Sequence, residues 1–203
     1  MSRHAIWLPA VGAVFLAQAA AAAGLKDGGF ETPPPPAGWF TTYDLGQKFG
    51  PWTVVGPTGS NVAVVSTSTV INGFSFPAKK GMAFLDLTGS NDPGLAQGVS
   101  QKIKTVPGQA YLVTFFVGNI NDPGGIWGTT STVNVYADGN LVTSATNSGG
   151  KAGGTVMVWQ KFSATFTATA GATTLSFVSG DFIGQNDEVC GLDAVTVVPA
   201  KPR

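Results

Sequence analysis

The run Asn119-Ile120-Asn121-Asp122-Pro123-Gly124-Gly125-Ile126-Trp127 sets an indole in a Gly-rich loop beside two amides and a carboxylate. Those residue types suit one kind of chemistry. An aromatic face stacks on the apolar side of a sugar ring, while amides and carboxylates take the hydroxyls. Trp127, Asn119, Asn121 and Asp122 are therefore candidate ligand contacts, and Trp39 with Tyr43 forms a second possible platform. Each loop aromatic reads equally well as a satellite packing residue. Trp52 lies within a strand pattern and is expected in the core. Trp159 has the opposite parity from Phe162 and Phe166, which puts it at the sandwich edge or on its outer face.

Bond-breaking chemistry finds little to work with. The sole histidine is His4, which falls in an N-terminal leader, so no imidazole remains to activate a serine or Cys190. Zinc sites lack ligands for the same reason. Asp86, Asp92, Asp122, Asp181, Asp187 and Glu188 offer carboxylates, but no spacing selects a glycosidase pair from them. The chain reads as a non-enzyme. Cys190 is the single cysteine, so no intrachain disulfide forms; it is expected as a small buried hydrophobe, the alternative being an intermolecular disulfide.

Met1 to Ala23 has a basic start at Arg3, an apolar run from Ile6 to Leu16 and a tail of alanines. This is the pattern of a secretory signal peptide, with an apolar core shorter than the ~20 residues a spanning helix needs. The remaining residues, 24–203, are expected to form one domain, exported and without a membrane span. Of 11 Lys and Arg against 11 Asp and Glu, the leader holds only Arg3. So balanced a surface has no footprint for nucleic acid or an anionic membrane.

The elements that must position these residues are strands. Val99 to Thr105 and Ala110 to Val117 flank Val106-Pro107-Gly108-Gln109, which predicts a reversal and an antiparallel hairpin at the centre of the fold. Leu25 to Thr32 is expected as a first strand. After Trp39 to Tyr43, a short aromatic segment before a loop, the strands Pro51 to Val55, Asn61 to Val65 and Met82 to Leu87 follow, the last with Phe84, Asp86 and Thr88 alternating against Leu85 and Leu87. Thr130 to Ala137 and Leu141 to Thr146 meet at Asp138-Gly139-Asn140, the preferred chemistry of a tight primed turn. Val156 to Ala168, with Phe162, Ala164 and Phe166 inward, precedes Ala172 to Ser179 and Gly191 to Val198. Short strands with frequent turn signals and no helical period predict an all-β antiparallel sandwich, of jelly-roll type.

Several stretches, in order, resemble the choice-of-anchor C family. They are Gly28-Gly29-Phe30-Glu31, Pro51-Trp52-Thr53-Val54, Gly81 to Gly89, Val99-Ser100-Gln101, Thr105 to Tyr111, Phe115, Gly118-Asn119, Trp159 with Phe166 and Ala168, and Leu192-Asp193-Ala194-Val195. The resemblance covers almost all of the mature chain. It implies a galactose-binding-like jelly roll of the kind found in carbohydrate-binding modules, in secreted bacterial relatives of plant cell-wall proteins. It also implies one structural calcium held by Glu31 and Asp193, which otherwise read as surface acids or as partners of Lys26 or Lys48. The residues themselves add support at Asp193: Leu192 and Val195 cannot both point inward on a regular strand, so a bulge there would re-aim the carboxylate. Members of that family carry a C-terminal sorting segment. Here the sequence passes from the last strand to Pro199-Ala200-Lys201-Pro202-Arg203, and a released or periplasmic product is expected. The expected function is non-catalytic recognition of an extracellular or cell-wall polysaccharide. The alternative is a matrix or surface structural protein that binds other proteins, with a cell-surface protein as partner.

Overall fold

The aliphatic and aromatic residues of this chain alternate with Thr, Ser and Asn, and that period of two builds strands throughout. The computed structural model describes residues 24–90, 94–180 and 189–201; the predicted leader lies outside them. The strands are β1 (Phe40–Asp44), β2 (Lys48–Phe49), β3 (Trp52–Val55), β4 (Asn61–Ser66), β5 (Val70–Ile71), β6 (Phe74–Ser75) and β7 (Ala83–Asp86). They continue with β8 (Gly98–Lys104), β9 (Ala110–Asn119), β10 (Ser131–Ala137), β11 (Asn140–Asn147), β12 (Val158–Thr167), β13 (Ala172–Ser179) and β14 (Gly191–Pro199). The first large sheet runs β1-β4-β7-β14-β9-β12 and the second runs β11-β10-β13-β8-β3-β2; β5 and β6 form a small hairpin of their own. The strand pairs are antiparallel, so the sandwich expected from the sequence is the fold observed. Among the described residues there is no helix.

The core lies between the two sheets. Val62, Val64, Leu85, Tyr111, Val113, Phe115 and Val117 from the first meet Trp52, Val54, Val99, Ile103, Val133, Val135, Leu175 and Phe177 from the second. Each such side chain contributes roughly 1.5–3 kcal/mol on burial. Trp52 is fully buried and donates its indole N–H to the Asp27 carbonyl at 2.8 Å. Cys190 is buried as expected. The Asp138-Gly139 turn joins β10 to β11, both residues at positive φ.

Two local expectations fail, each for a physical reason. The Pro107-Gly108 reversal is present, with Gly108 at φ 78°, but it does not close a hairpin. β8 pairs with β13 and β3, whereas β9 pairs with β12 and β14. The turn arches from one sheet to the other, because β8 and β9 each find their partners later in the chain, and Val99 and Ile103 then meet Tyr111, Val113 and Phe115 from the opposite wall of the core. Its donors go elsewhere: Gly108 N–H to the Ala168 carbonyl at 2.8 Å and Val106 N–H to the Tyr111 hydroxyl at 3.0 Å. Leu25 to Thr32 is not a strand either. Asp27 and Phe30 sit at φ 49° and 57°, breaking the extended run, and the segment instead clips on through Lys26 N–H to Gln101 Oε1 at 2.8 Å and Val195 N–H to the Gly28 carbonyl at 2.8 Å.

A second apolar layer covers the outer face of the first sheet. Ala63 and Val65 of β4 and Phe84 of β7 pack there under Phe76, Ile120, Trp127, Met157 and Val189, with Phe40, Ile71, Phe74 and Trp159 at the margins. The cover comes from the β5–β6 hairpin, tied down by the Ser75 to Val156 bridge, and from the loop after β9. Trp159 thus takes the outer-face position left open by its parity. It donates to the Pro77 carbonyl at 2.8 Å and meets Phe84 edge-on at 5.5 Å. Gly118 and Gly191 make room for its ring: a Cβ on either would lie 2.9 Å from Trp159 Cη2.

Candidate functional site

The outer layer does not fill the space it encloses. A cavity of about 270 Å³ remains between the face of β4 and β7 and its cover. Val65, Phe84, Phe76 and Trp127 form apolar walls, and Thr69, Asp86 and Ser90 supply polar groups. Trp39, at the entry to β1, also lines the cavity; it is 53% exposed and stacks on Phe40 at 4.9 Å with the rings 19° apart. Its position is held through the backbone, since its carbonyl accepts from Ser66 N–H at 2.9 Å and the Thr69 hydroxyl at 3.1 Å. Asp86 is buried and fixed in orientation: Oδ1 accepts from the Thr88 hydroxyl at 2.7 Å, Thr88 N–H at 3.1 Å and Cys190 N–H at 3.0 Å. The cavity can therefore present an aromatic face, an oriented carboxylate and hydroxyls to a small amphipathic guest.

The sequence candidates separate in three dimensions. Trp39 and Trp127 come together on this cavity. Trp127 belongs mostly to the packing, however: it is 5% exposed, wedged between Phe74 at 5.7 Å and Phe76 at 4.9 Å. Its indole N–H is buried without a partner among the described residues, an omission that costs about 1–3 kcal/mol. Asn119 is fully buried and holds loops together, donating to the Thr129 carbonyl at 3.1 Å and the Gly149 carbonyl at 2.9 Å and accepting from Ser131 Oγ at 2.9 Å. Asn121 donates to the Gly150 carbonyl at 3.2 Å, and the Asp122 carboxylate folds back over Gly125; neither lines the cavity. Tyr43 points the opposite way from Phe40, into the main core, stacked on Phe49 at 4.6 Å, and burial raises its pKa. Trp39 and Tyr43 are thus not one platform.

Glu31 and Asp193 do meet. A Cβ placed on Gly29 would lie 3.6 Å from Glu31 Oε1 and 3.7 Å from Asp193 Oδ1. The register between β14 and β9 shifts between Asp193 and Thr196, with Ala194 at φ 50°, so the bulge expected from Leu192 and Val195 is there. Asp193 is fully buried, and its Oδ2 accepts from Lys80 N–H at 2.9 Å. Glu31 Oε1 accepts from Met82 N–H at 3.0 Å and Ala83 N–H at 3.3 Å. Burial pushes the Asp193 carboxyl up to about 7; hydrogen bonds from the Lys80, Ala194 and Lys79 amides oppose the shift and the Glu31 charge adds to it. Neither carboxylate forms an ion pair with a Lys or Arg side chain among the described residues. Two oxygen donors carrying uncompensated charge suit a hard cation. No group of three or more His, Cys, Asp or Glu side chains gathers among the described residues, so backbone carbonyls and water would have to complete a calcium shell.

Phe40, Thr69 and Ser90 carry no signal of a site in the sequence, where Asp86 is one of several loose carboxylates. The signal for Asp86 was its parity: a strand whose Leu85 and Leu87 face one core, with Phe84, Asp86 and Thr88 on the other side, has a second environment to fill.

No curated protein matches the chain. Among solved structures it is similar in fold to the C-terminal family 22 carbohydrate binding module of Clostridium thermocellum Xyn10B, at 16% identity and TM-score 0.49, over 82% of this chain and 96% of that one. The CBM22-1 xylan-binding domain of Paenibacillus barcinonensis Xyn10C aligns at 14% identity and TM-score 0.47, over 82% and 98%. A sugar-binding protein, the EclA C-terminal domain, aligns at 17% identity and TM-score 0.38, over 48% of this chain; the chain spans 64% of its length. Residues 23–198 match the model of a family described as protein of unknown function, DUF642, and the chain belongs to that family.

Proposed function

We propose that this chain is a secreted, non-catalytic glycan-binding protein, and that the cavity on the outer face of the first sheet receives a sugar ring. The observation that carries this reading is Trp39, half exposed and stacked at the edge of a small cavity that also holds an oriented carboxylate and the Ser90 hydroxyl. A lone exposed tryptophan is ordinary. One backed by Phe40 and set beside Asp86 and Ser90 supplies both the stacking surface and the hydrogen-bond partners that a pyranose needs. Recognition works by stacking and hydrogen bonding, with no bond broken. A calcium ion between Glu31 and Asp193 belongs to the same reading as a structural element. It would neutralise the buried charge where the N-terminal segment meets β14, apart from the cavity, whose lining includes neither residue.

The test is retention of the mature protein on insoluble and soluble polysaccharides, with Trp39→Ala alongside. Since Trp39 is 53% exposed, its removal should leave the melting temperature nearly unchanged. Losing the buried ring area and the stacking together should weaken the cavity on the order of a hundredfold, about 2.7 kcal/mol, and remove its share of retention. A folded wild type retained on no polysaccharide would refute the glycan reading and turn attention to a protein-binding matrix component.

A further inference from the structure

We propose a second glycan-binding groove at the other end of the sandwich, which makes the chain bivalent; the proposal rests on the glycan reading above. β11 and β12 are edge strands of opposite sheets. They run side by side without pairing, and a groove of about 280 Å³ opens between them, close to the lower end of small-ligand pockets at ~300 Å³. Phe166, stacked on Tyr111 at 5.6 Å, lines it from the core, and Leu141, 58% exposed, stands on the rim. Asp138, Asn140 and the exposed Thr165, Thr167 and Thr169 supply a carboxylate, an amide and hydroxyls.

Two features mark the groove as more than a gap between sheets. Between β10 and β11 the register shifts at Val135 and Tyr136, so that Tyr136 opposes Leu141, Val135 opposes Thr143 and Val142 has no partner. Bulges of this kind re-aim side chains: Val142 packs toward the core while Leu141 is left in water. In addition, β12 is the last strand of its sheet and pairs with β9, so backbone donors and acceptors at alternate β12 residues face outward beside the groove. An apolar floor ringed by mixed donors and acceptors suits a polyhydroxylated ring, which offers both on one scaffold. Thr167 of β12 pairs with Ala110, whereas Asp86, at the cavity, aligns through Gly191 with Gly118. The two sites thus lie about 25 Å apart along the strands. One chain could bridge two glycan strands or hold one strand at two points.

The test uses the mature chain with soluble xylan, β-1,4-galactan, homogalacturonan and dextran, and the trisaccharide of whichever polymer is retained, which is too short to span both sites. Calorimetry counts sites per chain, and light scattering reports cross-linking of the polymer. Wild type should show two sites per chain and turbidity with polymer. Trp39→Ala should leave one site, as should the groove variant Leu141→Asp with Thr169→Arg, both at exposed positions. Each should lose the turbidity and weaken retention by about a hundredfold through lost avidity. A groove variant that is folded by circular dichroism and keeps wild-type stoichiometry and retention would overturn the second site, as would one site per chain in wild type that Trp39→Ala abolishes. If Trp39→Ala binds like wild type and the groove variant does not, the groove stands and the cavity reading fails. If the folded wild type binds no glycan, both fail.

Discussion

Raising the pH from about 5 to about 8 in the presence of a chelator should cost this protein stability, and much of the cost should arise at Asp193. That carboxyl is fully buried and its pKa stands at about 7 against an ordinary 3.8. The folded chain therefore holds this proton more tightly than the unfolded chain does. Stability from this group is fullest below the unfolded value and is lost as pH rises toward the folded one. A difference of about three pKa units corresponds to about 4 kcal/mol in all, of which about 2.5 kcal/mol falls between pH 5 and 8. For a domain of this size that is about 5–10 °C of melting temperature.

Thermal and urea melts of wild type and Asp193→Asn across this range isolate the effect, because the amide keeps the size of the carboxyl and cannot ionise. Asp193→Asn should lose about 2.5 kcal/mol less than wild type over the interval, at a fixed cost at every pH from setting its NH2 against a backbone N–H. Calcium at a hundred times its dissociation constant would return about 2.7 kcal/mol to wild type at pH 8. It should return little to Asp193→Asn, or to wild type at pH 5, where Asp193 is protonated. Equal losses in wild type and Asp193→Asn would refute the account of the carboxylate pair. A loss confined to wild type, with calcium inert at every pH, would keep the pair and reject the ion.

Two further substitutions separate packing from recognition. Trp127→Ala should destabilise by about 3–5 kcal/mol, as truncation of a buried aromatic does, whereas Trp127→Phe should cost far less because it also removes the buried N–H that has no partner; urea melts of both decide whether Trp127 belongs to the packing. Asn119→Ala leaves the carbonyls of Thr129 and Gly149 short of a partner, while the Ser131 hydroxyl keeps the Val189 carbonyl, at about 1–3 kcal/mol for each group that water cannot reach. Hydrogen exchange should then show the loop after β9 opening before the sheets do.

The strands were legible because each carries its own periodicity. Phe162, Ala164 and Phe166 point inward on β12 as their spacing requires, and the Asp138-Gly139 turn sets β10 against β11. Pairing was less so. A Pro-Gly turn specifies that the chain reverses, and the same reversal serves a hairpin within one sheet or an arch between two. What decides is which strands offer Tyr111 and Phe115 a better neighbour, and those lie far along the chain, with β9 taking Phe166 opposite Tyr111 and Phe162 opposite Phe115. The bulge at Asp193 was readable because two apolar residues three apart on one strand conflict with a period of two. The fate of Trp127 was not, because a tryptophan in a Gly-rich loop has the same sequence signature whether its ring faces water or Phe76.

The candidate cavity follows from a similar ambiguity. On β4, Val62 and Val64 face the main core while Ala63 and Val65 face out; on β7, Leu85 faces in and Phe84 out. Strands apolar at both parities require cover on both faces. On the inner side another sheet supplies it, with a regular surface that can interdigitate. On the outer side the cover is a two-residue hairpin arm on each strand, a loop and scattered aromatics, which have no common period with the sheet beneath and cannot match its rows of side chains. The mismatch leaves space, and the space lies where Asp86, at the same parity as Phe84, must also be housed. A polar group at an outward parity, beneath irregular cover, beside a tryptophan the packing does not consume, is the combination from which a binding site can be expected on an otherwise structural face. Trp39 rather than Trp127 is the residue that meets it.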